Sequence, residues 1–205
     1  MERGRQSIGW CAAVASLALG SAVAVRQPQN DSADTNAKPL IIEKNEGELR
    51  VRRIPADSTS VPMSMPASEF MLKVSPKNNS SQQLVLGTEE IPPGGRIRKH
   101  KHLQQDEILL IQTGTARVRV GDIEREVHAG GLVFLPRNMT IELENIGSGP
   151  IALVFIFSAP GFEDYMRCTS VPVGQERTTI TREELQRCAH AGHVVYDELQ
   201  QSPNR

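Results

Sequence analysis

The chain lacks the features that mark a general nucleic-acid binder. Aromatic residues make up only 4% of its 205 residues, and the formal net charge is −1. A nucleic-acid surface needs an excess of positive charge, often with aromatic side chains among the basic ones. We therefore expect no nucleic-acid partner. The same charge balance gives no support for a funnel that attracts acidic substrates.

Long apolar runs are scarce too, and the longest lies at the amino terminus. Arg3 and Arg5 precede an apolar run from about Ile8 to Val25, which ends with the small residues Ala22-Val23-Ala24. This order predicts a signal peptide over residues 1–24 of a secreted or periplasmic protein. An uncleaved anchor is the alternative, but the run is short for a membrane span. We expect no stable membrane insertion after cleavage.

Cysteine is also rare. Cys11 lies within the predicted signal peptide, which leaves Cys168 and Cys188 in the exported chain. An oxidising compartment favours a disulfide between them. Closing that loop would stabilise the fold by about 3 kcal/mol in the chain-entropy model. Two free, partly buried thiols are the alternative.

After the signal peptide, the composition predicts a disordered leader over residues 25–39 and a single domain over residues 40–205. Short strand candidates separated by Gly- and Pro-containing turns recur along this domain, at residues 40–43, 48–54, 70–74, from 84 onward, 108–111, 116–120, 123–127, 132–135, 141–144 and 151–157. Many short strands at this spacing indicate an antiparallel barrel or sandwich. Helical turns are expected at residues 162–166. A capping-box pattern at Thr181 to Glu184 predicts a helix from Arg182 to about Ala191, closed by Gly192.

The stretch from Gly94 to Gly114 contains the side chains that a small divalent metal ion needs. His100 and His102 are two residues apart, so on an extended strand both imidazoles lie on one face. Glu107 follows His102 by an odd number of residues and can reach the same ion only if the chain turns between Leu103 and Asp106. A polar cluster satisfied by hydrogen bonds and water is the alternative. Mixed nitrogen and oxygen ligation leaves Fe, Mn, Ni, Cu or Zn open as the metal.

The same residues resemble the cupin superfamily. The first cupin motif is matched at every position, by Gly94, His100, His102, Glu107 and Gly114. The second motif is matched at Gly130, Pro136 and Asn145, but Asn138 stands in place of its glycine and Ile141 in place of its histidine. The resemblance covers roughly residues 84–166, and residues 160–163 look like the end of a small, quercetinase-like cupin. It implies an all-β fold, an antiparallel jelly-roll barrel with the metal at its centre.

In cupins the ion is usually held by three histidines and a glutamate, so the resemblance implies that His100, His102 and Glu107 are ligands and that the fourth is missing. Ile141 shares the parity of Leu143 and should face the interior beside the ion. Two histidines and a carboxylate with open positions are also the ligands of non-haem iron oxygenases. One candidate function is therefore oxygen-dependent oxidation of a small organic molecule, with Glu107 also accepting a proton.

Two other candidates stay open: a non-enzymatic binding or structural cupin with a degenerate metal site, and a metal-dependent isomerase or decarboxylase. Arg96 and Arg98 share the parity of His100 if their strand is regular. Arg98 is predicted to line a substrate pocket with Ile141 and Leu143 and to orient an anionic group; a solvated rim is the alternative. His128, His190 and His193 are expected away from the metal. Because cupins often pair through their sheets, a homodimer is a candidate assembly.

Overall fold

A computed structural model describes residues 37–56, 68–78 and 80–200. The predicted signal peptide and residues 25–36 of the predicted leader lie outside these ranges. The described residues belong to one compact unit, residues 34–205. Among them, no helix is long and apolar enough to cross a membrane.

The described chain forms short strands, and three short α-helices alternate with the last of them. The strands are β1 Glu48–Arg52, β2 Ile54–Pro55, β3 Glu69–Val74, β4 Val85–Ile91, β5 Arg96–His102, β6 Glu107–Thr113, β7 Thr115–Val120, β8 Ile123–His128, β9 Leu132–Leu135, β10 Ile141–Asn145, β11 Ile151–Phe157, β12 Ser170–Pro172, β13 Thr179–Ile180 and β14 Val194–Tyr196. The helices are α1 Phe162–Cys168, α2 Arg182–Ala191 and α3 Asp197–Gln200.

Two sheets enclose the core. The larger has the order β12-β1-β3-β4-β11-β6-β9, and the smaller β14-β5-β10-β7-β8, with antiparallel pairing throughout. Leu109 and Ile111 of the larger sheet and Val118 and Leu143 of the smaller belong to one hydrophobic cluster. In β11 every second side chain from Ile151 to Phe157 belongs to that cluster, because successive side chains point to opposite faces. The all-β prediction is confirmed, as a barrel-like sandwich of jelly-roll character.

Most predicted elements are present. The strand at residues 132–135, the strand at residues 151–157 and helix α2 have the predicted bounds, and Thr181 and Glu184 form the capping box. The predicted strand over residues 40–43 is wrong, because the chain loops there around the Lys73 ammonium, which donates to the carbonyls of Glu43, Lys44 and Glu46. The predicted strand over residues 48–54 is interrupted at Arg53, since β2 leaves the large sheet to pair in parallel with β13.

The carboxyl-terminal segment is part of the sandwich. Strand β14 pairs with β5, with Val194 opposite His102 and Tyr196 opposite His100. Cys168 at the end of α1 and Cys188 in α2 form a disulfide with a Cα–Cα distance of 5.7 Å. The disulfide ties α1, whose Phe162 contacts His102, to α2, which packs against β14.

Replacing Cys168 and Cys188 by alanine should lower the free energy of unfolding by about 3 kcal/mol, because the unfolded chain regains the freedom of a closed loop. Urea unfolding followed by circular dichroism measures this loss. The urea midpoint of wild-type protein should fall similarly in a strong thiol reductant. An unfolding midpoint that neither treatment lowers would show that the disulfide does not stabilise the fold.

Candidate metal centre

The side chains of His100, His102 and Glu107 converge between the two sheets. Both histidines lie at the end of β5, residues 103–106 turn, and Glu107 begins β6. The turn that the sequence required is therefore present. His102 Nε2 lies 3.1 Å from His100 Nε2 and 3.1 Å from Glu107 Oε2. One ligand atom from each of the three buried residues lies within 4.8 Å of the others.

A backbone contact determines which nitrogen of His100 faces the cluster. His100 Nδ1 lies 2.7 Å from the carbonyl oxygen of Arg98. A carbonyl only accepts, so Nδ1 carries the proton and the neutral ring presents the Nε2 lone pair to the cluster. Burial first, then the charges of His102 and Arg52, lowers the pKa of His100 to about 3 despite that hydrogen bond. Metal-ligating histidines typically donate their other nitrogen in this way.

Aromatic packing holds His102. Its ring centroid lies 4.4 Å from that of Phe162, which meets it edge-on, and 5.1 Å from that of Phe157. Its Nδ1 atom is buried and has no hydrogen-bond partner among the described residues. Two imidazoles and a carboxylate that converge out of water are the donor set of a divalent transition metal. The residues present therefore fit a metal, whose identity the ligand types do not select.

Ile141 occupies the place of the missing fourth ligand. It lies directly opposite His100 in the antiparallel pairing of β10 with β5. Side chains of such a pair lie on the same face of the sheet, about 4.5–5.5 Å apart at Cβ. Ile141 is 1% exposed and Leu143 is fully buried. The prediction that Ile141 faces the interior is confirmed, and a branched apolar side chain flanks His100.

Two asparagines at positions of the second motif hold the loops at the two ends of β10. Asn138, in place of a glycine, has φ 66°, and asparagine tolerates this left-handed conformation better than most residues. Its backbone N–H donates to the His102 carbonyl at 2.7 Å, so this turn holds the end of the ligand strand. Asn145 is buried and donates to the carbonyls of Ile91 and Gly149, both at 2.9 Å.

Asn138→Ala should cost about 1 kcal/mol of stability, since a Cβ without a local hydrogen-bonding group is strained at positive φ. Asn138→Gly should stay within about 0.5 kcal/mol of wild type, because glycine adopts this conformation freely. Urea denaturation of the pair measures the difference. Equal stability of the two variants would contradict the strain argument.

Strand β5 is irregular. Ile141 pairs with His100 but Leu143 pairs with Ile97, so three steps along β5 match two along β10. Such a bulge changes which side chains face inward. The regular strand assumed for Arg96, Arg98 and His100 is therefore absent, and Ile97 takes the position opposite the inward-facing Leu143.

A cavity of about 260 Å³ adjoins the cluster, and both His100 and Glu107 line it. Five aromatic residues are among those that line it: Phe155, Phe157, Phe162, Tyr165 and Tyr196. Tyr196 stacks on His100 with ring centroids 5.1 Å apart. Burial, together with Tyr165, raises the pKa of Tyr196 well above its usual value, although Arg52 opposes the shift. The tyrosine thus stays protonated.

The predicted pocket residues lie at different depths. Arg98 lines the cavity, whereas Ile141 and Leu143 are buried in β10 and are not among its lining residues. Contact of these three residues with a ligand stays a prediction. His128 and His190 are exposed and His193 is partly buried, and none of them belongs to the cluster formed by the described residues.

Comparison with known proteins identifies the fold family. Residues 87–157 match the family model described as a cupin domain. This part of the chain is a cupin domain. None of the curated proteins compared with this cupin matches it.

Solved structures resemble this cupin in fold. A cupin-superfamily sugar phosphate isomerase from Silicibacter pomeroyi is 14% identical, with a TM-score of 0.50 over 60% of this chain and 77% of the other. A predicted oxalate decarboxylase from Thermotoga maritima is 17% identical, with a TM-score of 0.48 over 59% and 100% of the two chains. An RmlC-like cupin from Shewanella frigidimarina is 13% identical, with a TM-score of 0.45 over 61% and 95%. The activities in the names of these proteins differ, and sequence identities this low are evidence about the fold alone.

Sequence reasoning missed several residues around the cavity. Arg52, Tyr165 and Tyr196 line it, and each comes from outside the family match. No local sequence pattern predicts their position, because Tyr196 reaches His100 only through the pairing of β14 with β5. Arg52 ends a short strand from the other end of the domain.

Proposed function

We propose that this cupin binds a divalent transition metal on His100, His102 and Glu107 and oxidises a small organic molecule with dioxygen. The observation that carries the proposal is that the buried three-residue cluster borders a partly enclosed cavity through His100 and Glu107. When bound, such a metal supplies Lewis acidity and open positions for exchangeable ligands.

The surrounding side chains have definable tasks. Glu107 lines the cavity, which supports a role for its carboxylate in accepting a proton from a bound molecule. Arg98 lines it too, and its guanidinium suits an anionic group of the substrate. The aromatic wall removes water from the bound molecule and strengthens polar interactions inside.

Oxygen uptake tests the activity. Protein loaded with Fe(II) should consume dioxygen with a simple phenol such as catechol, and a chelator should stop the uptake. Glu107→Gln should lower the rate by about tenfold or more, because it removes both the anionic metal ligand and the proposed proton acceptor, and loss of a general base alone typically costs 10²–10⁴. Glu126→Gln, an exposed substitution on β8, is the matched control. Uptake that survives chelation, or equal rates in the two variants, would reject the proposal.

A second function is favoured by Ile141. Because an apolar side chain lies opposite His100 where a ligand is expected, the protein is alternatively a binding cupin with a degenerate metal site. That version predicts little bound metal, ligand binding that a chelator leaves unchanged, and no oxygen uptake.

We also propose a secreted or periplasmic location and a homodimer. The apolar amino-terminal run and the Cys168–Cys188 disulfide support export. Exposed apolar side chains on the larger sheet support pairing: Leu132 and Phe134 of β9 are 58% and 55% exposed. Phe134 lies opposite Ile108, and Leu132 opposite Leu110, on β6. Contiguous exposed apolar side chains of this kind often mark an interface.

A further inference from the structure

We infer that the cavity recognises a small aromatic carboxylate through Arg52, at a subsite separate from the metal ligands. The inference rests on the proposed function in one respect only, that the cavity takes a small organic molecule. Arg52 and His100 line the same cavity. Arg52 lies outside residues 87–157, so the subsite belongs to the part of the chain beyond the family match.

Arg52 is held in a defined orientation. Its Cζ atom lies 4.6 Å from the centroid of the Phe70 ring, an arrangement in which a guanidinium stacks on an aromatic face. Nη2 lies 3.6 Å from Glu89 Oε1, and Nη1 donates to Thr169 Oγ1 at 3.4 Å. A guanidinium has five N–H donors in its plane. These two long contacts within the described chain leave donor capacity at its edge for a further acceptor.

Glu89 is already engaged elsewhere. Its Oε1 atom accepts a hydrogen bond of 2.7 Å from Ser68 Oγ, which is shorter than its 3.6 Å contact with Arg52. The Glu89 carboxylate therefore positions the Arg52 guanidinium without occupying all of its N–H donors. A ligand carboxylate could take a bidentate place on the same fork, which is the strongest geometry for this pair of groups.

The charge around the cavity favours an anion. Five arginines and two glutamates line it: Arg52, Arg53, Arg96, Arg98, Arg177, Glu89 and Glu107. Arg53 also pairs with Glu184 at 3.5 Å, and Arg177 Nε donates to the Arg52 carbonyl. Positive groups still outnumber negative ones, and charges interact more strongly in a partly enclosed site than in water. A ligand anion would offset this excess.

The remaining wall and the volume limit the rest of the ligand. The rings of Tyr165 and Tyr196 have centroids 5.4 Å apart, and Phe162 stacks on Tyr165 at 5.2 Å. Flat aromatic walls favour a planar ring by stacking or edge contacts. The cavity of about 260 Å³ is just below the usual range for small-molecule sites, roughly 300–1,000 Å³. A single-ring carboxylate is the chemistry that meets these conditions.

Isothermal titration of chelator-treated full-length protein with benzoate and with its neutral analogue benzamide tests the subsite. Benzoate should bind at least about tenfold more tightly than benzamide, a difference of about 1.4 kcal/mol. Arg52→Gln should remove that preference, and Arg52→Lys should retain part of it because the charge stays while the fork is lost. Glu89→Gln should tighten benzoate binding by removing a negative neighbour. Arg125→Gln, which changes an exposed arginine on β8, should leave the affinity for benzoate unchanged.

Equal affinity of wild type for the two probes would overturn the inference, and so would a benzoate preference that survives in Arg52→Gln. If the Arg52–Glu89 pair were purely structural, Arg52→Gln and Glu89→Gln would both lower the thermal stability and leave the affinity for benzoate unchanged. Should Arg52→Gln fail to fold, Arg52→Lys and the wild-type comparison still decide. Because the metal is removed beforehand, benzoate binding can succeed or fail independently of the metal proposal.

Discussion

A His100→Ala, His102→Ala double variant should purify with about a tenth or less of the metal bound by wild type. Both nitrogen ligands are lost, leaving Glu107 alone in the cluster, and each 1.4 kcal/mol of lost binding free energy is about tenfold in affinity. Inductively coupled plasma mass spectrometry after gel filtration measures the metal content. His128→Ala is the matched control, since His128 is exposed at the end of β8 and lies outside the cluster.

Both histidines are buried, so their removal also affects packing. Circular dichroism and thermal melting therefore accompany the metal measurement. Glu107→Gln provides a milder test, because it keeps the side-chain shape and removes the anionic ligand. Stoichiometric metal in the double variant would place the metal elsewhere and reject the assignment.

Ile141→His should raise metal affinity by about tenfold or more, since one added ligand worth 1.4 kcal/mol has that effect. The new imidazole would lie opposite His100 in the pairing of β10 with β5, on the face that carries the cluster. Without metal the variant should be less stable than wild type by about 1–3 kcal/mol, because a buried polar ring lacks its partners. Titration with a competing chelator measures affinity, and thermal melting with and without metal measures the stability change.

Leu143→His is the matched control for this gain. Leu143 is equally buried on β10 but pairs with Ile97 instead of His100. Leu143→His should therefore lose stability as Ile141→His does, but it should not gain affinity for the metal. An affinity gain confined to Ile141→His would identify the native site as a weakened one. Unchanged affinity in Ile141→His would show that three ligands already suffice.

Much of the barrel was predictable because its signals are local. Alternating apolar side chains and Gly-containing turns predicted the strands between β6 and β11, and the Thr181 hydroxyl with the Glu184 carboxylate predicted the start of α2. The metal cluster was predictable for the same reason. Its three residues lie within eight positions of sequence, and the only structural condition was a turn before Glu107.

The rest of the site depends on contacts between distant parts of the chain. The bulge in β5 is visible only in its register against β10, so the inward position of Ile97 could not be predicted from strand parity. Arg52 and Tyr196 approach the cavity from opposite ends of the domain. No periodicity in either segment indicates that it borders the metal ligands.

The position of β14 determines where the domain can be shortened. With β14 in place, β5 is an interior strand between β14 and β10. A chain cut after β11, close to the limit of the family match, would turn β5 into an edge with unpaired backbone groups, ready to pair with strands of other molecules. The two histidines would then lie on an exposed edge of the sheet, so the minimal soluble metal-binding unit should extend through Tyr196.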